Sequence, residues 1–402
     1  MTLPARPAHR IKAARRQRLI SLAAFLILVG AWLFGYVNTR DSIAPSAASV
    51  LPGAVRIEPR GALFAGFDSA GALVGYAAAS SAPGYGGPVT LLVGVNTDGA
   101  IIGVQVVTHR ETPGFFRVLE RDQYYEQFLG QTPGDNLTLG QGIDSVSGAT
   151  LSAEAVAQSI RDALRTVAGQ ELGVSMPPDE IPVKFGAPEI VLIGLFIAGF
   201  FAHRTRHKQA KKWLRWGTLL TGMIALGFIY NKPFTVAHVT SFLAGYWPDW
   251  RTNLYWFLLL GGILFVTSAQ GKNPYCSWFC PFGAVQECLG KLSGAKVYRP
   301  RRLNNLLNWL QRGLAFSAIF LGLAFRQPAA ASYEPFGTLF DLTGSWPQWV
   351  LLVLVLLASL VIHRPFCNYL CPLDPVVGYI GEIRRWVKES RESWLKRRQA
   401  RA

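Results

Sequence analysis

Six apolar runs constrain this chain more than any other feature. They cover Leu19–Val37, Phe185–His203, Trp213–Tyr230, Leu254–Ser268, Leu306–Phe325 and Trp349–Ile362. A bilayer core of about 30 Å calls for roughly 20 apolar residues per helix. Several runs are shorter, and flanking Trp and Tyr residues extend them into the interface. Of the 402 residues 50% are hydrophobic and only 16% are charged, where a soluble domain carries about 25%. An ordinary cytosolic enzyme is a poor match.

The net charge of +16 is informative only once it is placed along the chain. Residues 1–18 hold six basic residues and no acid, and residues 204–215 repeat that count. Residues 269–304 hold six basic and one acidic, and 363–402 nine and four, whereas 38–186 hold nine basic and fifteen acidic. Basic connections therefore alternate with non-basic ones across six spans, the pattern of the positive-inside rule with both termini in the cytoplasm. Nucleic-acid binding would need one folded basic face, and these charges are scattered over short loops. Leu19–Val37 resembles a signal peptide, but it is longer than a usual signal core and lacks a clean small-x-small site after it. It reads as an uncleaved anchor.

The fold class expected is a polytopic α-helical membrane protein of about six transmembrane helices with an inserted extracytoplasmic α+β domain. Its parts are a basic N-terminus (1–18), an anchor (19–37), the outer domain (38–184, core about 85–170), a five-helix membrane domain (185–372) and a basic tail (373–402). In the outer domain Asn38–Pro52 reads as a linker rich in Ser, Ala and Pro. Val89–Val95 and Ala100–Val107 read as strands around a Thr97-Asp98-Gly99 turn. Phe116–Phe128 reads as a short helix and Ser152–Val167 as a longer one, with Ser152 suited to its N-cap.

Two loops carry this domain's chemistry. His109-Arg110-Glu111-Thr112-Pro113-Gly114 follows the second strand, and Asp144-Ser145-Val146-Ser147-Gly148-Ala149-Thr150 precedes the longer helix. The second is a turn of small residues running into a helix N-terminus, where free N–H groups favour a phosphate. A plain turn and cap would read the same way.

Together the two loops resemble the FMN-binding domains of the flavin-carrying subunits of the Rnf complex and of sodium-pumping NADH:quinone reductase. The resemblance implies FMN attached to Thr150 through a phosphoester by a separate flavin transferase. Asp144, Ser147, Gly148 and Ala149 would be the recognised context, and Glu111, Thr112 and Gly114 the upstream contribution. Where the family often has a further Gly, this chain has Phe115-Phe116, either against the flavin ring or filling core. His109 reads equally as a flavin-tuning group and as a structural histidine.

All five cysteines lie in the second half. Four form a repeat, Cys276-Ser-Trp-Phe-Cys280-Pro281 and Cys367-Asn-Tyr-Leu-Cys371-Pro372, while Cys288 has no counterpart. The repeat extends to two units, 213–290 and 305–380, each opening an outer loop with Pro-Phe (Pro233-Phe234, Pro335-Phe336) before a span and a cysteine pair. Such a parallel repeat brings both pairs to one depth. A spacing of four places two thiols on one helical face, and the proline then ends or bends that helix. Four thiolates suit an iron–sulfur cluster or zinc. Lys272, His363 and Arg364 stand beside the pairs. Arg312 lies inside the fifth apolar run toward its cytoplasmic end, with Gln311 and Asn308 near it, and Glu189 at the outer end of the second; such a charge snorkels or marks a site, at Arg312 one for a quinone headgroup.

The whole arrangement resembles the NosR/NirI/PceC-type membrane flavoproteins, in the short form without a ferredoxin-like C-terminal domain. That resemblance implies electron transfer from quinol or a cytoplasmic donor, through a Cys-bound and redox-active centre, to FMN. From there electrons would pass to an extracytoplasmic reductase or serve its maturation. The alternative it leaves is a redox-sensing regulatory or assembly factor without net flux. Partners follow: the membrane, the flavin transferase, the donor and the reductase, and no nucleic acid. Cysteines inside and a flavin outside would be separated by roughly the 30 Å core, so a bound quinone, a further cofactor or a partner is expected to bridge them.

Overall fold

The computed structural model describes residues 8–38, 44–84, 86–111, 113–140, 142–146, 150–176, 183–271, 273–296 and 304–399. Helix α1 (Ala8–Asn38) is followed by a 3-10 turn, Ala44–Val50, and five strands: β1 (Arg56–Arg60), β2 (Leu63–Phe67), β3 (Leu73–Pro83), β4 (Pro88–Asn96) and β5 (Ile101–His109). They form one antiparallel meander in sequence order. β4 and β5 match the two expected strands, joined by the expected tight turn. Helices α2 (Pro113–Arg121) and α3 (Thr150–Val167) complete the domain, with the turn Tyr124–Phe128 between them. The single helix expected over 116–128 is thus two elements.

β4 is buried almost along its whole length, because something covers each face. On one face Leu91, Val93 and Val95 share a core with Val156, Ile160, Ala163 and Leu164 of α3. On the other, Leu92 and Ala77 meet Ala47, Val50 and Leu51 of the leading turn. The stretch expected as a plain linker is therefore part of the fold. Gly94 and Gly103 pair across β4 and β5. A Cβ on Gly94 would overlap the Val50 carbonyl, so the absent side chains let the leading turn lie on the sheet.

The second half is helical: α4 (Ala187–Arg204), α5 (Lys208–Thr221), α6 (Val236–Ala244), α7 (Leu254–Gln270), α8 (Pro281–Ser293), α9 (Asn304–Ala324), α10 (Phe336–Phe340), α11 (Trp346–Ser359), α12 (Pro365–Tyr369) and α13 (Leu373–Gln399). Among the described residues two stretches are long and apolar enough to cross a membrane, Arg16–Asn38 and Asn305–Ala324. Ala187–Ala202, Leu254–Gln270 and Trp346–Ser359 are apolar but shorter. The remaining run, expected at Trp213–Tyr230, is α5 continued by a π-helical stretch, Gly222–Ile229. Gly222 packs against the backbone of Phe279, where any Cβ would collide with its carbonyl oxygen.

Helix α1 sets the long dimension. Near its start Gln17 donates to Glu382 at 3.0 Å and Arg18 pairs with Glu389 at 2.8 Å, both on α13. Along its middle Ala31 shares a core with Ile319 and Leu323 of α9. Near its end Tyr36 faces the β-sheet domain. From Arg18 to Tyr36, at 1.5 Å per residue, the axis runs about 27 Å.

Candidate functional sites

The first site is built where β5 ends. The His109 ring stacks on Phe116 with centroids 3.7 Å apart and planes 8° from parallel. Phe116 is fully buried, so it fills core as well as backing the histidine. Burial lowers the His109 pKa from its ordinary value, Glu120 opposing the shift and Arg110 reinforcing it. This His is neutral around pH 7. Two residues on, Glu111 is completely buried and accepts the Gly86 N–H at 3.1 Å. Its carboxylate fills the space a Cβ on Gly84 would need, so Glu111 locks the β3–β4 turn. Gly114 lies in the first turn of α2, and Thr112 is outside the described residues.

The other loop leads into α3. Asp144 is exposed and its backbone N–H donates to the Gln127 amide oxygen at 2.9 Å. Ser147, Gly148 and Ala149 are outside the described residues. Helix α3 begins at Thr150, two residues earlier than the expected cap at Ser152, which is buried in the first turn. Three bonds fix α3 on the domain: Tyr124 Oη to the Ala153 carbonyl at 3.2 Å, Ser159 Oγ to the Val89 carbonyl at 3.0 Å, and Arg161 to the Leu137 carbonyl at 2.8 Å. A long helix thus starts at Thr150, and the free N–H groups of its first turn suit an anion. The donor chemistry fits the phosphate of a flavin nucleotide.

The second site joins the cysteine repeats. Cys276 sits in the π-turn Tyr275–Phe279, and the Cys280 N–H bonds back to the Tyr275 carbonyl at 2.8 Å. The Cys371 N–H bonds to the Phe366 carbonyl at the same 2.8 Å, so the two motifs share one local geometry. The cysteine-bearing elements end just before their prolines, as expected, and each proline also leads into the next helix. Pro281 opens α8 at its first position, and α13 begins just after Pro372. Fixed φ and a missing N–H suit a helix start, and the widened turn before it presents the thiols.

Every pair among Cys276, Cys280, Cys367 and Cys371 lies within charge–charge range. Among the described residues no three His, Cys, Asp or Glu side chains are close enough to hold one metal ion. The donor set, four thiolates drawn from the two repeats, fits an iron–sulfur cluster.

The supports of these thiols come from elsewhere in the chain. Asn273 Nδ2 donates to Cys276 Sγ at 2.9 Å. Fully buried Gln286 donates to Cys367 Sγ at 3.2 Å and accepts the Phe366 N–H at 3.0 Å. Gln311 donates to the carbonyls of Cys367 at 3.2 Å and Cys371 at 2.9 Å. Arg364 donates to the Cys276 carbonyl at 3.1 Å and pairs with Glu287 at 2.5 Å, while Arg215 grips the same carboxylate at 2.5 and 2.7 Å. Of these the sequence singled out only Arg364. Lys272 is outside the described residues. Arg312 pairs with Glu382 at 3.5 Å, and Glu189 accepts the Gly186 N–H at 2.8 Å as a helix cap, so neither calls for a ligand.

The two sites stand at opposite ends of α1: α13, which follows Cys371, holds its start, and the sheet domain faces its end.

Two family profiles match. One described as an FMN-binding domain covers residues 84–165, and one described as a 4Fe-4S binding domain covers 252–300 and 349–389. Protein NirI of Paracoccus denitrificans is 29% identical over 203 residues, 46% of this chain and 28% of the relative. Regulatory protein NosR of Stutzerimonas stutzeri is 27% identical over 233 residues, 54% of this chain and 31% of the relative. A component of the ion-translocating oxidoreductase complex of Methanosarcina acetivorans is 36% identical over 111 residues, 27% of this chain and 59% of that component. This chain therefore spans under a third of the NirI and NosR relatives it matches.

Proposed function

We propose that this chain, an electron-transfer flavoprotein of the NosR/NirI type with an FMN-binding and a 4Fe-4S binding domain, carries electrons from quinol or a cytoplasmic donor to an extracytoplasmic reductase or its maturation. The observation that supports this reading is the pairing, in one chain, of a flavin domain with four mutually near cysteines, set at opposite ends of an apolar helix.

Thr150 holds FMN through a phosphoester that a flavin transferase makes, and Cys276, Cys280, Cys367 and Cys371 hold the iron–sulfur cluster. When bound, these groups supply the redox chemistry, and the chain sets their position and surroundings. Asp144, Ser147, Gly148 and Ala149 present Thr150 for attachment. Glu111 locks the β3–β4 turn, and Thr112 and Gly114 complete the upstream motif. Gln286, Gln311 and Asn273 hold the cysteine loops by hydrogen bonds to sulfur and carbonyl oxygen. The chain crosses the membrane six times, with both termini and the cysteines in the cytoplasm and the flavin domain outside.

Intact mass of the purified chain and of Thr150→Ala tests the attachment. We expect wild type to carry an adduct of about 0.44 kDa that the variant lacks, and an unmodified wild type would sink the assignment. Flux is tested in reconstituted membranes. Reduction of the flavin by quinol supports electron transfer, whereas no reduction by quinol or any cytoplasmic donor favours a redox-sensing regulatory role.

A further inference from the structure

A cavity of ≈ 370 Å³ lies between the sheet domain and the helical half. Arg110 lines it from the end of β5, and Tyr36, Tyr246, Trp247 and Arg326 line it from α1 and the loops after α6 and α9. Arg326 is held firmly. Its Nε donates to Tyr246 Oη at 2.7 Å, and its guanidinium lies 4.8 Å from the Tyr246 ring and 5.6 Å from the Tyr36 ring. Its φ of 48° is in the left-handed region, which a side-chain-bearing residue adopts only where its surroundings demand it. Arg110 donates to the carbonyl of Phe325, the residue before Arg326, at 3.3 Å. Two guanidiniums thus converge on one cavity whose lining contains no Asp or Glu.

The cavity continues toward the flavin attachment site. Pro83 and Tyr246 are shared with a second cleft, which runs to Leu151, Glu154 and Gln158 on the first turns of α3. Leu151 directly follows Thr150.

Aromatic walls favour a flat ring. Paired guanidiniums without a carboxylate favour carbonyl oxygens and negative charge. The volume lies in the roughly 300–1,000 Å³ range of small-ligand sites. The geometry points to a flavin site completed by the helical half: the isoalloxazine of FMN on Thr150 lies in this cavity, with Tyr246 and Trp247 against the ring and Arg326 and Arg110 at its carbonyl-bearing edge. This assignment rests on Thr150 as the attachment residue. Its consequence is that the two guanidiniums favour the reduced, more negatively charged flavin and raise its midpoint potential. The sheet domain alone supplies only Arg110 among these five side chains.

The test uses the full-length flavinylated chain in detergent, with the adduct verified by intact mass in every variant. A Trp or Tyr ring in contact quenches flavin fluorescence, so Trp247→Leu and Tyr246→Leu should each brighten the bound flavin several-fold. In spectroelectrochemical titration Arg326→Gln should lower the flavin midpoint potential, and Arg326→Lys should hold it near wild type, separating charge from a folding defect. Adduct-bearing variants with wild-type fluorescence and potential would overturn this site alone. An absent adduct in wild type would overturn the attachment residue, and this site with it.

Discussion

Glu287 is the point at which the cysteine site is most exposed to a single change. Its side chain is 9% exposed and is shared by Arg364, 12% exposed, and Arg215, 33% exposed. Glu287→Gln keeps the volume and removes the charge, leaving Arg364 buried without a counterion. Breaking a buried pair from one side costs about 3–5 kcal/mol, and retained hydrogen bonding from the glutamine places the loss near the lower figure. The more exposed Arg215 adds about 0.5 kcal/mol. At about 2–4 °C per kcal/mol for a unit of this size, the melting midpoint in detergent should fall by about 7–14 °C. Because Arg364 also donates to the Cys276 carbonyl, iron retained per chain should fall in parallel. Adding Arg364→Met to Glu287→Gln should recover part of the midpoint, since an apolar replacement removes the stranded charge. A Glu287→Gln midpoint within about 2 °C of wild type, with full iron content, would refute the account of this triad.

Two further outcomes follow from the sheet domain. Gly94→Val forces a side chain onto the Val50 carbonyl; overpacking of this kind costs about 1–3 kcal/mol, and amide exchange at Val50 and Leu51 should accelerate. Burial depresses the His109 pKa, so the unfolded chain binds a proton that the folded chain refuses. The stabilisation is complete above about pH 6.5 and is lost as pH falls through the depressed folded value. His109→Phe, which preserves a ring on Phe116, should flatten the acid limb of the domain's melting curve.

The parts of this structure that sequence makes legible are those with a period or a spacing. The cysteine pairs stand out because two copies with the same Pro and the same outer Pro-Phe occur in order. β4 and β5 stand out because a tight turn separates two apolar runs. β1 does not, since Arg56–Arg60 carries three charges in five residues and a proline and pairs only at the sheet edge. The leading turn hides for a different reason: Ala44–Val50 looks like a linker until the Gly94–Gly103 groove that accepts it exists. Gln286 and Gln311 hide completely. They reach the second cysteine pair from 81 and 56 residues away, and no local pattern marks a glutamine whose partner is chosen by packing. The prolines are half legible: the sequence marks where each cysteine-bearing element stops, but not that the same ring starts the next helix.

The docked leading turn bears on how the flavin domain meets its partner. Five residues, 39–43, join the end of α1 to that turn, and whatever their path they bridge no more than about 20 Å. With Val50 and Leu51 seated on the sheet, no slack can be drawn from the domain without unpacking it. A carrier tethered this closely has the travel of a hinge and not that of a swinging arm. On the proposed function, delivery outward then falls to the acceptor, which would have to come to the membrane surface and approach a rim already partly occupied by the chain's own helical half.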